Sequence, residues 1–157
     1  MKSLFLMLAL SATTFTQNSF AQDSTKTQPA QLLNAYYKLK DALVSSNATT
    51  AAAGADELLK AINSTNEATL HKDTRDLLLK DAGAISQSKD IKLQREKFAT
   101  LSNTMFELAK TVKLSAEPVY QQYCPMKKAS WLSNDKAIKN PYYGSAMLTC
   151  GSVITTL

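Results

Sequence analysis

The chain has 157 residues and a formal net charge of +5 at neutral pH. That length allows one modest domain and excludes two. Its lysines are scattered from Lys38 through Lys40, Lys60, Lys72, Lys80 and Lys89 onward, which excludes the one-sided basic footprint of a nucleic-acid binder.

The first segment, MKSLFLMLALSATTFTQNSFAQ, opens with Lys2, continues through the apolar run Leu4 to Leu10 and closes on Ser19-Phe20-Ala21. Small residues at the two positions a signal peptidase reads predict a secretory signal over residues 1–21, cleaved after Ala21. The apolar run is too short for a membrane span, and no cysteine follows the cleavage point to carry a lipid. The expected product begins at Gln22, is exported and soluble, and loses only Lys2 among its charges, which leaves +4.

From Pro29 to Ser115 the pattern is helical. Leu32, Tyr36, Leu39 and Leu43 recur at steps of 4, 3 and 4, one stripe of a helix, and Pro29 suits a first turn. Ala51, Ala55, Leu58 and Ile62 repeat the pattern. Leu70, Leu77, Leu78, Ala82 and Ile85 mark a third segment. Ile91, Gln94, Phe98, Leu101, Met105, Leu108 and Val112 make the longest stripe, with Ser88 as the expected N-cap. The joints SSNATT, INSTNE and SQSKD are short and polar, so an all-α, up-down four-helix bundle over residues 29–115 is the economical reading. Asn47-Ala48-Thr49 and Asn63-Ser64-Thr65 match the glycosylation sequon; helix caps or turns are the plainer roles for both asparagines.

After Pro118 the composition changes. Pro118, Pro125 and Pro141, four tyrosines, Trp131 and both cysteines fall within residues 118–157. Prolines so spaced forbid a long helix, Asn140-Pro141-Tyr142-Tyr143-Gly144 reads as a turn, and the expectation is an irregular aromatic lobe laid over the bundle within one domain, 22–157.

That lobe gathers the soft donors. Cys124 and Met126 flank Pro125; Met147 and Cys150 stand three residues apart; Met105 belongs to the fourth helical stripe. Thiolate and thioether together favour Cu(I) over zinc, magnesium or calcium, so Cys124, Met126, Met147 and Cys150 are candidate metal ligands if the two loops meet. The alternative is a Cys124–Cys150 disulfide, the default for two cysteines in an exported protein. It would close a loop of about 26 residues and stabilise by roughly 3–4 kcal/mol. The methionines would then fill gaps beside aromatic rings. The same pair could instead cycle between bridged and free in a thiol-redox role.

His71, the only histidine, lies in the charged stretch HKDTRD and reads as exposed or capping. With no partner at Cys–His or Cys-x-x-Cys spacing, the usual zinc sites are excluded. Phosphate-loop, Gly-x-Ser-x-Gly, His-Glu-x-x-His and haem-attachment motifs are all missing. Asp56-Glu57 and Asp73…Asp76 read as solvated helix faces. The expectation is a protein without catalytic residues.

QREKFATLS (Gln94–Ser102), YCPM (Tyr123–Met126), WLS (Trp131–Ser133), IKNPYYG (Ile138–Gly144) and MLTCG (Met147–Gly151), in that order, resemble a bacterial periplasmic family of unknown function. YKLKDALV (Tyr37–Val44) resembles that family's first helix, so the likeness spans nearly all of the chain after residue 21. Members of that family occur alone or at the C-terminus of membrane-fusion adaptors in copper and silver efflux pumps of the resistance-nodulation-division type. YCPM also looks like the Tyr-x-Cys-Pro-Met run of small heavy-metal-binding domains, where a histidine commonly follows; here Lys127 takes that position.

The resemblance implies binding of Cu(I) or Ag(I) in the periplasm, as chaperone, buffer or efflux accessory. The protein would act free or docked on a separate pump or adaptor. Tyr123, Trp131 and Tyr143 would shield the metal from water. The other reading is a structural module, disulfide-bonded, whose exposed tyrosines and tryptophan dock an envelope partner.

Overall fold

A computed structural model describes residues 24–157, with side chains from Gln28 onward. The expected signal segment lies outside the described residues. Four helices come first: α1 (Ser24–Val44), α2 (Ala48–Ser64), α3 (Lys72–Ser86) and α4 (Ile91–Thr111). Three short strands follow, β1 (Tyr120–Cys124), β2 (Ala129–Ser133) and β3 (Ser152–Thr156), with a 3₁₀ turn at Gly144–Met147 between the last two. The strands form an antiparallel sheet in the order β2-β1-β3. The all-α expectation is therefore overturned: the lobe after Pro118 is a small sheet, and the protein is a helical layer with a sheet packed on it.

The helical stripes bury as the spacing predicts. Leu32, Tyr36, Leu39 and Leu43 of α1, and Ala51, Ala55, Leu58 and Ile62 of α2, are fully buried. Along α4, Gln94, Phe98, Leu101 and Met105 are fully buried too. Leu77 departs from its stripe: it is 53% exposed, while its neighbour Leu78 takes the core position. Pro29 lies inside α1 rather than in its first turn.

Each joint is closed by a specific device. After α1, Ser46 adopts a left-handed conformation (φ 56°). The amides of Ser46 and Asn47 turn back to the carbonyls of Leu43 and Ala42, the Schellman closure of a helix end. Asn47 then caps α2, its side chain accepting from Thr50 N–H at 2.9 Å. The tight joint sends α2 back along α1, and Gly54 lets the two approach: a Cβ there would lie 3.1 Å from Leu39 Cα. Arg75 closes the second joint by donating to the carbonyls of Ile62, Thr65 and Leu70. The cap of α4 is Asp90, which accepts from Lys92 N–H at 2.9 Å. Ser88, the expected cap, instead accepts from Asp90 N–H. Buried Gln94 reaches across the helix ends, donating to the carbonyls of Ala48, Ile85 and Ser88.

Consecutive helices pack against one another, and β2 lies on α4. Tyr36 of α1 holds the layers together. Its ring stacks on Phe98 of α4 at 5.3 Å between centroids. Its hydroxyl bonds Ser102 Oγ at 2.8 Å and accepts from Leu132 N–H of β2 at 3.0 Å. Phe98 in turn meets Tyr142, and Tyr142 meets Trp131 edge-on at 5.9 Å. Arg95 provides a second tie, donating to the carbonyls of Pro141 (2.8 Å) and Leu43 (3.0 Å) and to Ser46 Oγ.

Candidate functional site

The two cysteines meet. Cys124, the last residue of β1, is fully buried; Cys150, in the loop before β3, is half-buried. Their sulfurs are unbonded and 3.5 Å apart. Two features of the chain produce this encounter. Tyr123 pairs with Ser152 across β1 and β3, so the residues just before β3 run beside the end of β1. Gly151 makes the close passage possible. It has φ +149°, and a Cβ there would lie 2.8 Å from Tyr123 O and 2.9 Å from the Trp131 ring. Only glycine accepts both conditions.

Around the sulfurs the donors converge. The β1–β2 connection, Pro125 to Lys128, folds back so that Lys128 N–H reaches Cys124 O at 2.8 Å, and the amides of Met126 and Lys127 point inward. Burial pushes the Cys124 thiol up, but hydrogen bonds outweigh it. Lys127 N–H, the Asn140 side-chain amide, the Cys150 thiol and Met126 N–H together hold it below the usual thiol range. Cys150 moves the other way: it is pushed up because its proton is held by the Cys124 sulfur, with burial and the nearby charge adding to this. The pair thus parts with its first proton readily and keeps the second.

Asn140 organises the second loop. It is fully buried. Its side-chain amide donates to Cys150 O at 2.8 Å, and its Oδ1 accepts from Tyr142 N–H (2.8 Å) and Tyr143 N–H (3.3 Å). Its own backbone bonds Leu148 O and Gly144 N–H. One side chain thereby fixes the turn after Pro141, the carbonyl of Cys150 and the Cys124 sulfur. The sequence marked Asn140 only as a turn residue; its role became visible once the loop was folded over β1.

The remaining candidates are arranged around this pair. Met126 stands 65% exposed on the hairpin, and Met147 is half-buried at the end of the 3₁₀ turn, its carbonyl accepting from Cys150 N–H at 3.1 Å. Trp131 and Tyr142 are almost wholly buried, while Tyr123 and Tyr143 are half-buried. The aromatic docking patch expected from sequence is therefore not at the surface: its largest ring is part of the core. His71 is exposed at the N-cap position of α3 and makes no capping bond with its side chain. Among the described residues, no group of three or more His, Cys, Asp or Glu side chains gathers, and no helix is long and apolar enough to cross a membrane.

The donor set suits a soft monovalent ion. Metal–sulfur bonds of about 2.3 Å at trigonal or tetrahedral angles place two ligand sulfurs roughly 3.8–4.0 Å apart. The observed 3.5 Å falls short of that by roughly 0.3–0.5 Å. With two cysteines and no nearby histidine or carboxylate cluster, the set falls short of the four-ligand closed sites typical of structural zinc.

A family model described as "Protein of unknown function (DUF3347)" matches residues 32–117. The match covers more than half of the chain, and the protein belongs to that family. It spans α1 to α4 and ends before β1, so both cysteines lie beyond it. No curated protein and no solved structure matches.

Proposed function

We propose that this is an exported, periplasmic protein that binds one Cu(I) or Ag(I) ion between Cys124 and Cys150, as a chaperone, buffer or accessory of heavy-metal efflux. The carrying observation is the pair itself: two unbonded sulfurs 3.5 Å apart, one of them held toward the thiolate by backbone and amide donors. Metal binding needs deprotonated sulfur, and the donors around Cys124 lower the cost of removing its proton. Met126 and Met147 flank the pair on its two loops and complete the soft set when the ion requires a third ligand. Export and the link to an efflux adaptor or pump rest on the N-terminal pattern and on the resemblance of the C-terminal motifs. The cargo ion is bound and released; no residue is assigned a catalytic role.

A disulfide remains the second reading, because the same short separation favours oxidation in an exported protein. Thiol–disulfide exchange is less well supported: an exchange nucleophile is an accessible, low-pKa thiolate. Here the accessible sulfur is Cys150, whose thiol is pushed up, and the low-pKa sulfur is enclosed.

The test is a free-thiol count on protein taken from its native compartment without reductant, followed by anaerobic Cu(I) titration against a competing chelator. Two free thiols and one tightly held Cu(I) per chain, lost in Cys124→Ser, are the expected results. No free thiols, and no binding after reduction, would overturn the metal reading in favour of the disulfide.

A further inference from the structure

Of the seven large hydrophobic residues exposed among the described residues, five lie in the sheet lobe: Met126, Leu148, Val153, Ile154 and Leu157. Four of them lie on the chain segments that carry the sulfur pair, whereas Leu157 pairs with Val119 at the opposite end of β1. Met126 is two residues after Cys124, Leu148 is two residues before Cys150, and Val153 and Ile154 follow it in β3. The exposure on β3 has a structural cause. Gln121 pairs with Thr155 and Gln122 with Val153, so Ile154 is an extra residue in the ladder. A bulge of this kind re-aims side chains, and here Val153 and Ile154, consecutive in an edge strand, are both exposed, at 38% and 52%.

The lobe that carries these side chains is basic. Residues 118–157 carry Lys127, Lys128, Lys136 and Lys139 against the single Asp135, a net +3, and all five side chains are exposed. Strand β3 itself has no charged residue. Exposed apolar side chains on a charged lobe suit a protein–protein contact. Three features select its occupant. The bulge interrupts the β3 edge, which blunts strand-to-strand pairing. A second copy would bring two lobes of +3 together, and like charges juxtaposed at an interface cost several kcal/mol. Four partly exposed side chains are also too few for an obligate interface of more than about 2,000 Å².

We infer that the sheet lobe is a transient docking face for a different protein with an acidic, apolar-centred surface, seated over the mouth where Cys150 reaches solvent. This rests on the metal-binding reading, since docking there brings the partner's own ligands to the sulfur pair.

The experiment places a photocrosslinking phenylalanine analogue at Leu148, Ile154 or, as an off-face control, Leu77, in the full chain expressed in cells of the source organism. Crosslinked peptides are then sequenced. Crosslinks from positions 148 and 154, but not from 77, to a segment of another protein rich in Asp and Glu are the expected result. The yield should fall at least about fivefold in Lys127→Glu/Lys128→Glu, through loss of electrostatic steering. Both lysines are exposed, so an unchanged melting curve checks the fold of that variant. Crosslinks to a second copy, to lipid, to a basic segment, or in equal yield from position 77 would overturn the inference. Crosslinking that persists while wild-type protein binds no Cu(I) would remove the metal reading and leave the docking face standing.

Discussion

Replacing Asn140 with alanine tests how the site is built. In the folded chain its side chain satisfies Cys150 O, Tyr142 N–H and Tyr143 N–H. A buried backbone group left without a partner costs about 1–3 kcal/mol. Tyr142 is nearly fully buried and loses its partner outright, whereas Cys150 and Tyr143 are half-buried and recover some hydration. The expected total is about 3 kcal/mol, a large share of the stability of a small domain. It would be read as a fall in the urea midpoint at constant m-value. Asn140 also donates to the Cys124 sulfur, so the thiolate absorbance of Cys124 should titrate at higher pH in the variant. Asn140→Asp separates the two effects. Its carboxylate still accepts from Tyr142 and Tyr143, which restores part of the stability, but it places a negative charge beside the sulfur and raises the thiol further than alanine does. A loss below about 1 kcal/mol with an unmoved thiol titration would refute this account of the loop.

Other perturbations follow from the same contacts. Tyr36→Phe keeps the stack on Phe98 but removes the hydroxyl that joins Ser102 to Leu132 N–H; a loss of about 1–2 kcal/mol in urea unfolding is expected, with β2 amides exchanging faster with deuterium than those of α2. Gly151→Ala forces a side chain into contact with Tyr123 O and the Trp131 ring at a strained φ. It should cost about 2 kcal/mol or more and weaken Cu(I) binding in chelator competition by moving Cys150. Stability should depend on pH through the thiols. A thiol whose folded value is lowered, as for Cys124, adds stability that is complete above its unfolded value and is lost as pH falls through the folded one. Cys150, raised, acts with the opposite sign, its contribution present below its unfolded value and lost as pH climbs through the folded one. Unfolding free energy of the metal-free, reduced protein should therefore rise from neutral pH toward the ordinary thiol range and turn over above it; Cys124→Ser should remove the rise.

The helices were legible because apolar residues at steps of 3 and 4 have one efficient use in water. The stripe through Gln94 illustrates both the strength and the limit of that signal. Its position marked it as buried, but only the folded joints supply the three carbonyls that make a buried amide affordable. The sheet was not legible for the same kind of reason. YQQYC shows no alternation of apolar and polar residues, because Gln122 is buried by donating to the carbonyls of Asp135, Lys136 and Ala137, partners supplied by a distant loop. Val153 to Thr156 is a run of β-branched residues and carried a strand signal. Pro118 and Pro125 forbid a long helix but lie just outside β1 and leave it uninterrupted. Clustering of sulfur in the sequence pointed to two loops whose cysteines meet in the fold. The donors that set the thiol chemistry are two backbone amides and one asparagine, which no residue-type pattern distinguishes. The burial of Trp131 and Tyr142 was not legible because aromatic residues in a proline-rich segment give no hint of a neighbouring helix layer; Phe98 and Tyr36 provide it.

The most direct test of the central claim is X-ray absorption at the copper edge of the reduced protein loaded with one equivalent of Cu(I). The account predicts a shell of two or three sulfur ligands at about 2.2–2.3 Å, reduced in Cys150→Ser by one sulfur. A shell dominated by nitrogen or oxygen, or a spectrum unchanged when both cysteines are replaced, would contradict it.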